Sequence, residues 1–394
     1  FGTKRAALIS AALFAATPMA LYFGGQPEVL GMPLVLFALL TVLTYLHFHR
    51  ESTPATFARL VGAFTLAAFS DWPAFILVPV LVAHFAMTRP RRQWPWILAW
   101  SAYACVLFGL MYFYIMMAAD LPWNWMVPLV QGRAGIGVKM PFTAADWLRT
   151  AWIFNLHLHT APLLAATCLW LVLCSARLRQ PQPGALVARL LLAWGVLHVL
   201  IGRQGVYNHE WWWWPLTPGI AVASALLVDG ILASLERRTP SRSPQAVATI
   251  AIALFAVWTA HNAYGGLFRS HREDPFTTME LGRAIQVAAP EPNDLAMLAW
   301  SGDDPELWFY GDRPLRADIW TVDEFTARRS GAYADLVFSD LQPWPAPATG
   351  LVFPTLDRRT LPDLHAYLVA RYPLVPLPED LANKFEVFDV RRHQ

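Results

Sequence analysis

Arg203, His209 and Glu210 stand immediately ahead of four consecutive tryptophans, Trp211 to Trp214, in GRQGVYNHEWWWWPLTPG. A guanidinium binds a phosphate through two parallel hydrogen bonds. An imidazole changes charge near neutral pH. A carboxylate can take the proton of an attacking hydroxyl or amine. Together these residue types suit transfer chemistry at an anionic leaving group. More carboxylates fall at the ends of apolar runs: Glu28 in GGQPEVLGMP, Asp71 ahead of Trp72-Pro73, then Asp120 and Asp146. Arg133, Lys139, His157 and His159 accompany them. Glu28 is the strongest single candidate, because a Gly- and Pro-rich turn leaves its side chain little room to swing away. Asp71 reads more simply as a helix cap. The bland readings stay open for the whole set: caps, solvated loop ends, and attraction of the cations to lipid headgroups. The tryptophans read as a polar loop dipping onto a membrane rim, where an indole finds both apolar surroundings and a partner for its N–H.

The elements that hold these residues are apolar. The 394-residue chain is 56% hydrophobic, with 13% aromatic residues and a mean hydropathy of +0.36. Runs approach the ~20 residues that cross a bilayer. Nine segments are expected: about 6–23, 29–48, 57–70, 72–88, 94–117, 151–175, 187–202, 211–233 and 247–264. The third is short and is expected to form a bent or re-entrant pair with the fourth around Asp71. The first run, behind Lys4 and Arg5, imitates a signal peptide, but a second apolar run follows too closely for that reading. The expected organisation is a polytopic α-helical membrane domain over 1–265 and a small α/β domain over 266–394. The net charge of +2 divides unevenly: the first part holds 17 Lys/Arg against 8 Asp/Glu, the second 13 against 20. Nothing in that pattern points to nucleic acid.

If the segments alternate across a membrane, one side collects thirteen basic residues, among them Arg50, Arg89, Arg91, Arg92 and Arg189. The other side holds only Arg133, Lys139, Arg149 and Arg203. The positive-inside rule makes the first side cytoplasmic and puts the C-terminal domain outside a bacterial inner membrane. The loop 118–150, rich in Pro, Gly and Trp, is expected to lie along the outer interface. Cys105, Cys168 and Cys174 lie in apolar runs, and Cys168 and Cys174 are expected in the core. The pairs His47/His49 and His157/His159 are two residues apart, so a helix does not present either pair on one face. No metal site is assigned, and a divalent metal requirement stays open.

The tail alternates. Thr277–Ala289 reads as a helix; 295–300, 307–310, 336–338, 351–353 and 385–390 read as strands. Thr321/Glu324 and Thr360/Asp363 have capping-box spacing.

The turn GGQPE, the approach NHEWWWWPLTPG and the tail motif WFYGDRP (308–314) together resemble bacterial membrane glycosyltransferases of the GT-C fold, similar to protein O-mannosyltransferases and lipid A aminoarabinose transferases. The resemblance is architectural and covers nearly the whole chain. It implies a GT-C-like bundle, a sugar donor on polyprenyl phosphate, and a lipid, polysaccharide or protein acceptor on the outer face. It also implies a principal catalytic carboxylate in a first outer loop, between two spans ahead of segment 6–23, which this chain is expected to lack. Glu28 matches the acid of the family's second outer loop, and His209-Glu210 matches a His before an aromatic-Pro stretch. On this reading Glu28 and Asp71 are catalytic. Arg203, His209 and Lys139 bind donor phosphate, and Glu210, Asp120 and Arg133 support the acceptor. Two rivals belong to other classes. A transporter or flippase would carry internal repeats and midplane charges, and no repeat is found. A non-catalytic membrane protein would bind through its outer domain.

Overall fold

A computed structural model of the chain describes residues 3–24, 31–118, 127, 130–131, 134, 142–175, 183–238, 244–263, 277–292, 294–299, 312–313, 315–316, 319–329 and 348–391. The chain divides into two compact units, Phe1–His271 and Arg272–Gln394, close to the boundary expected at 265.

Helices cover all nine apolar segments of the first unit. They are α1 (Lys4–Ala15), α2 (Pro18–Phe23), α3 (Gly31–Glu51), α4 (Pro54–Ser70), α5 (Ala74–Thr88), α6 (Trp94–Ala118), α7 (Ala144–His159), α8 (Ala161–Ser175), α9 (Pro183–Ile201), α10 (Arg203–Asn208), α11 (Thr217–Arg238) and α12 (Pro244–Ala263). Among the described residues four helices are long and apolar enough to cross a membrane: Gly31–Glu51, Arg91–Ala118, Gly184–Ile201 and Glu210–Arg237. The number becomes five if the bent pair α7–α8 counts as one span. Helices α4 and α5, with 17 and 15 residues, reach only about 22–26 Å against a ~30 Å hydrocarbon core. Helix α6 buries Ile97, Trp100, Ala104 and Leu107 on one stripe. It leaves Leu98, Phe108, Leu110, Tyr114 and Met117 exposed, and a helix apolar on its outward face is fitted to lipid.

Two expected single segments are broken. Segment 6–23 stops at Ala16; Thr17 then caps α2, its Oγ1 accepting from Ala20 N with Pro18 at the first helical position. Segment 151–175 bends by 104° between α7 and α8. Thr160 at the bend has φ 69°, a left-handed conformation costly for a β-branched residue. His159 beside it is buried, its ring nitrogens paired with Asn155 Oδ1 at 3.1 Å and Thr217 Oγ1 at 3.0 Å. The break expected around Asp71 is present as the turn between α4 and α5, and a further sharp bend lies at Thr160. The polar pairing of His159 with α11 compensates a helix break inside the protein.

The second unit is an α/β layer structure. Strands β1 (Ala296–Leu298), β2 (Leu315–Arg316), β3 (Gly350–Pro354), β4 (Leu374–Val375) and β5 (Phe385–Asp389) form one sheet in the order β2-β1-β3-β5-β4. β1 is parallel to β2 and β3; β5 is antiparallel to β3 and β4. Alternation sends Ala296, Leu298, Val352 and Val387 toward α13 (Thr278–Ala288), with Leu281 and Ile285. Met297, Leu351, Phe353 and Phe388 face α14 (Val322–Arg329) and α15 (Pro362–Val369). Strands covered on both faces read as continuous apolar runs. The capping boxes Thr277/Glu280 and Thr321/Glu324 form. The Thr360/Asp363 box does not: Thr360 Oγ1 turns back to Asp357 Oδ1 at 2.8 Å, and α15 starts at Pro362, which needs no N–H acceptor. The strands expected at 307–310 and 336–338, like the motif 308–314 apart from Asp312 and Arg313, lie outside the described residues.

Glycines decide how closely the membrane unit packs at the tryptophan run. A Cβ on Gly31 would lie 2.1 Å from Trp214 Nε1, and one on Gly205 would lie 2.2 Å from the Trp212 ring. Gly31→Ala and Gly205→Ala are expected to lower the thermal unfolding midpoint of the detergent-solubilised protein, each costing about 1–3 kcal/mol of overpacking. Gly62→Ala and Gly230→Ala, with nothing within 4 Å of the added carbon, are expected to leave the midpoint unchanged or raise it.

Candidate functional site

Helix α9 carries Trp194 and His198 four residues apart, hence on one face. Trp194 is buried, and its Nε1 donates to the carbonyl of Pro73 at 2.8 Å. That bond seats the turn Asp71-Trp72-Pro73, between α4 and α5, against α9. Trp72 then lies 5.1 Å from the His198 ring and 5.4 Å from Trp212, and Trp212 lies 5.6 Å from His198. The histidine is enclosed by two indoles.

The tryptophan run is largely packed into the protein. It winds as a 3-10 turn, Glu210–Leu216, directly after the short α10. Trp213 and Trp214 are 3% and 2% exposed and pack with Met19, Phe23, Val35 and Val206. Trp213 Nε1 donates to Val206 O at 3.2 Å. Only Trp211 is exposed, with His209 stacked on it at 4.5 Å. Two of the four tryptophans expected at the interface therefore form part of a packed core. The physical reason is area: each indole buries some 150–250 Å² once glycines let the backbone approach.

Between these elements lies a cavity of ≈ 240 Å³, lined by Gly31, Leu34, Asp71, Trp72, Pro73, His198, Trp211, Trp212, Trp214 and Pro215. Its polar groups are few and defined. Asp71 Oδ1 accepts from Trp72 N at 2.7 Å, which fixes the carboxylate against its own turn. His198 is 1% exposed, and its Nδ1 has no hydrogen-bond partner among the described residues; the same holds for Trp214 Nε1. A buried polar atom without a partner costs about 1–3 kcal/mol, so a bound molecule that supplied the missing bonds would recover part of that cost. Burial pushes the Asp71 carboxyl up to about 6, against the lowering effect of the Trp72 N–H. A carboxylate poised there is suited to take up and release protons near neutrality.

Of the residues singled out from the sequence, the structure brings Asp71 to this cavity. Arg203 is exposed at the start of α10 and does not line it. Its Nη2 donates to Ala134 O at 2.9 Å, and its own carbonyl accepts from Trp147 Nε1 at 3.0 Å, so it ties the 118–150 loop to α7 and α10. His209 and Glu210 are half-buried one step before the lining residue Trp211. Glu28, Asp120, Arg133 and Lys139 lie outside the described residues. Gly31, three residues after Glu28, lines the cavity, and Ala134, which Arg203 bonds, follows Arg133. Asp146 is a cap, its Oδ2 accepting from Thr143 N and Oγ1. His159 belongs to the interior and does not join an outward site. Cys168, expected in the core, is exposed, because α8 is apolar on every side and only one side packs. Among the described residues no group of three or more His, Cys, Asp or Glu is placed to hold a metal ion.

His198 is the residue that sequence reasoning passed over. Its signal was present: an ionisable group inside an apolar segment is expensive and functional by default.

The raised Asp71 pKa has a stability consequence. The folded protein retains a proton that the unfolded chain releases near 3.8. The wild type should therefore lose stability relative to Asp71→Asn as pH rises from about 4 to about 6, with a constant difference above that window. Melting midpoints of the two proteins compared across this range check the sign; parallel curves would contradict the burial of this carboxylate.

No protein-family model matches the chain, and no curated protein matches it in sequence.

Proposed function

We propose that the protein transfers a sugar from a polyprenyl-phosphate donor to an acceptor at the outer face of the cytoplasmic membrane, as an enzyme similar to GT-C glycosyltransferases. The observation that carries this reading is the cavity that joins Asp71 and His198 beneath indole faces. At ≈ 240 Å³ it falls below the roughly 300–1,000 Å³ of a drug-sized site, which suits a single sugar-sized group. Indole faces are flat apolar surfaces that pack against the C–H side of a sugar ring. A carboxylate and an imidazole then meet its hydroxyls.

In this mechanism the acceptor hydroxyl or amine attacks the anomeric carbon while the bond from that carbon to the phosphate oxygen breaks. The acceptor proton passes to the Asp71 carboxylate, and polyprenyl phosphate leaves with the bonding pair. Direct attack inverts the anomeric centre. Glu28, on the turn before Gly31, is a second carboxylate for the same role or for stabilising oxocarbenium charge. Arg203, His209 and Lys139 stabilise the departing phosphate. Glu210, Asp120 and Arg133 position the acceptor. Positive-inside reasoning puts the C-terminal α/β unit on the outer side of the membrane.

A second reading, a lipid or solute transporter, draws support from the 104° break between α7 and α8, since broken helices form transporter sites.

The test is transfer of labelled sugar from undecaprenyl-phosphate-linked donors in membranes holding the full-length protein. Asp71→Asn and Glu28→Gln are each expected to lower the rate about 10²–10⁴-fold. Arg203→Ala should raise the KM for donor more than it lowers kcat. No transfer from any such donor, with labelled lipid or solute moving across vesicles instead, would sink the glycosyltransferase reading in favour of transport.

A further inference from the structure

A second, larger cavity of ≈ 1090 Å³ runs between α3, α5 and α9. One wall is the α9 stripe Leu186, Leu190, Ala193, Leu197 and Leu200. Spacings of three and four residues keep this stripe on a single face for about 21 Å. The facing wall is α5, where Pro79, Ala83 and Met87 recur every fourth residue. Ala83 and Ala193 are exposed into the groove, and small side chains there keep it open.

The groove is apolar along its length and basic at one end. Arg50 closes α3 there, and Arg189 stands in the second turn of α9. His49, His84 and Thr88 line the same end, with His49 Nε2 bonded to Thr88 Oγ1 at 2.9 Å and the Arg89 guanidinium behind His49. No acid lines the groove among the described residues. Neither Arg50 nor Arg189 has a carboxylate within 4.0 Å among the described residues, whereas Arg5 pairs with both Asp229 and Glu236. Uncompensated guanidinium charge beside a long apolar trough complements one kind of molecule: an amphiphile with a phosphate head and an extended hydrocarbon tail.

We propose that this groove holds a single anionic membrane phospholipid, its phosphate between Arg50 and Arg189 and one acyl chain along α9 and α5. Two features favour a bilayer phospholipid over a polyprenyl-linked donor. The basic end belongs to the side rich in Lys and Arg, which meets the anionic leaflet. The basic end of the groove is also remote from the cavity of Asp71 and His198: α3 lines that cavity with Gly31 and Leu34 and the groove with Leu46, His49 and Arg50, at least about 18 Å further along the helix. The inference does not rest on sugar transfer.

Native mass spectrometry of the detergent-purified full chain tests it, with phosphatidylglycerol, phosphatidylcholine and undecaprenyl phosphate supplied in turn. Phosphatidylglycerol should bind one per chain in preference to phosphatidylcholine. The double variant Arg50→Ala/Arg189→Ala should weaken it about 30-fold. Ala193→Phe, which fills the trough and leaves both arginines, should abolish it. Arg91→Ala/Arg92→Ala, altering exposed arginines outside the groove, should have no effect. Equal binding of the two phospholipids, or phosphatidylglycerol retention unmoved by either groove variant, would overturn the proposal. Displacement of phosphatidylglycerol by undecaprenyl phosphate would reassign the groove to a polyprenyl lipid. A dimer that forms only with the groove unfilled would reassign it to a partner helix.

Discussion

Burying adjacent tryptophans is the constraint on which the membrane unit turns. An indole is large, rigid and apolar, yet carries an N–H that needs an acceptor. Trp213 meets both needs by packing with Met19, Phe23 and Val35 and donating to Val206 O. Trp212 fits against Gly202 and Gly205, and Trp214 against Gly31, at distances that leave no space for a methyl group. Where a helix backbone must approach a ring this closely, glycine is the residue that permits it. The 3-10 turn of Glu210–Leu216, tighter than an α-helix, distributes successive indoles to different neighbours. Trp194 adds the long-range tie, its hydrogen bond to Pro73 spanning 121 positions of sequence.

The same packing creates the candidate site. Once the Asp71–Pro73 turn is held on α9, Asp71 and His198 share one small cavity with three indoles of the run. The folded chain keeps unpartnered buried atoms there, at His198 Nδ1 and Trp214 Nε1. Elsewhere in the unit some buried polar groups are answered, His159 by Asn155 and Thr217 and Thr167 by Ser224, whereas Trp94 Nε1, Trp100 Nε1 and Thr160 Oγ1 have no hydrogen-bond partner among the described residues. What distinguishes His198 Nδ1 and Trp214 Nε1 is that their residues line a cavity beside the Asp71 carboxylate, where a bound molecule could supply the missing bonds.

The C-terminal unit rests on different physics. Its strands are short, and stability comes from covering both sheet faces with helices. Gly350 lets the end of α13 approach β3, where a Cβ would lie 2.4 Å from Ala288 O. The ion pairs around it, Arg283–Asp380 and Arg358–Glu386 among them, are exposed on at least one side. Such solvent-screened pairs add little to stability. They tune solubility and surface charge more than fold.

Hydropathy and charge were sufficient to locate the nine apolar segments, the change of character near 265 and the alternating tail, because those features depend on composition and local periodicity. The capping box at Thr321 was legible for the same reason: its bonds reach only three residues. Asp71 was visible as an acid beside Trp-Pro, although its membership of a cavity was not. What lay beyond the sequence depends on neighbours distant along the chain. An apolar run does not announce whether it is one span or two helices bent by 104° at Thr160. A tryptophan run reads equally as membrane belt or packed core until glycines from α3 and α10 are seen against it. His198 gained significance only when Trp72 and Trp212 closed around it, and the bond from Arg203 to Ala134 O joins residues 69 positions apart. Local pattern thus determined which residues form helices and strands, while tertiary packing alone decided which polar groups were left facing one another.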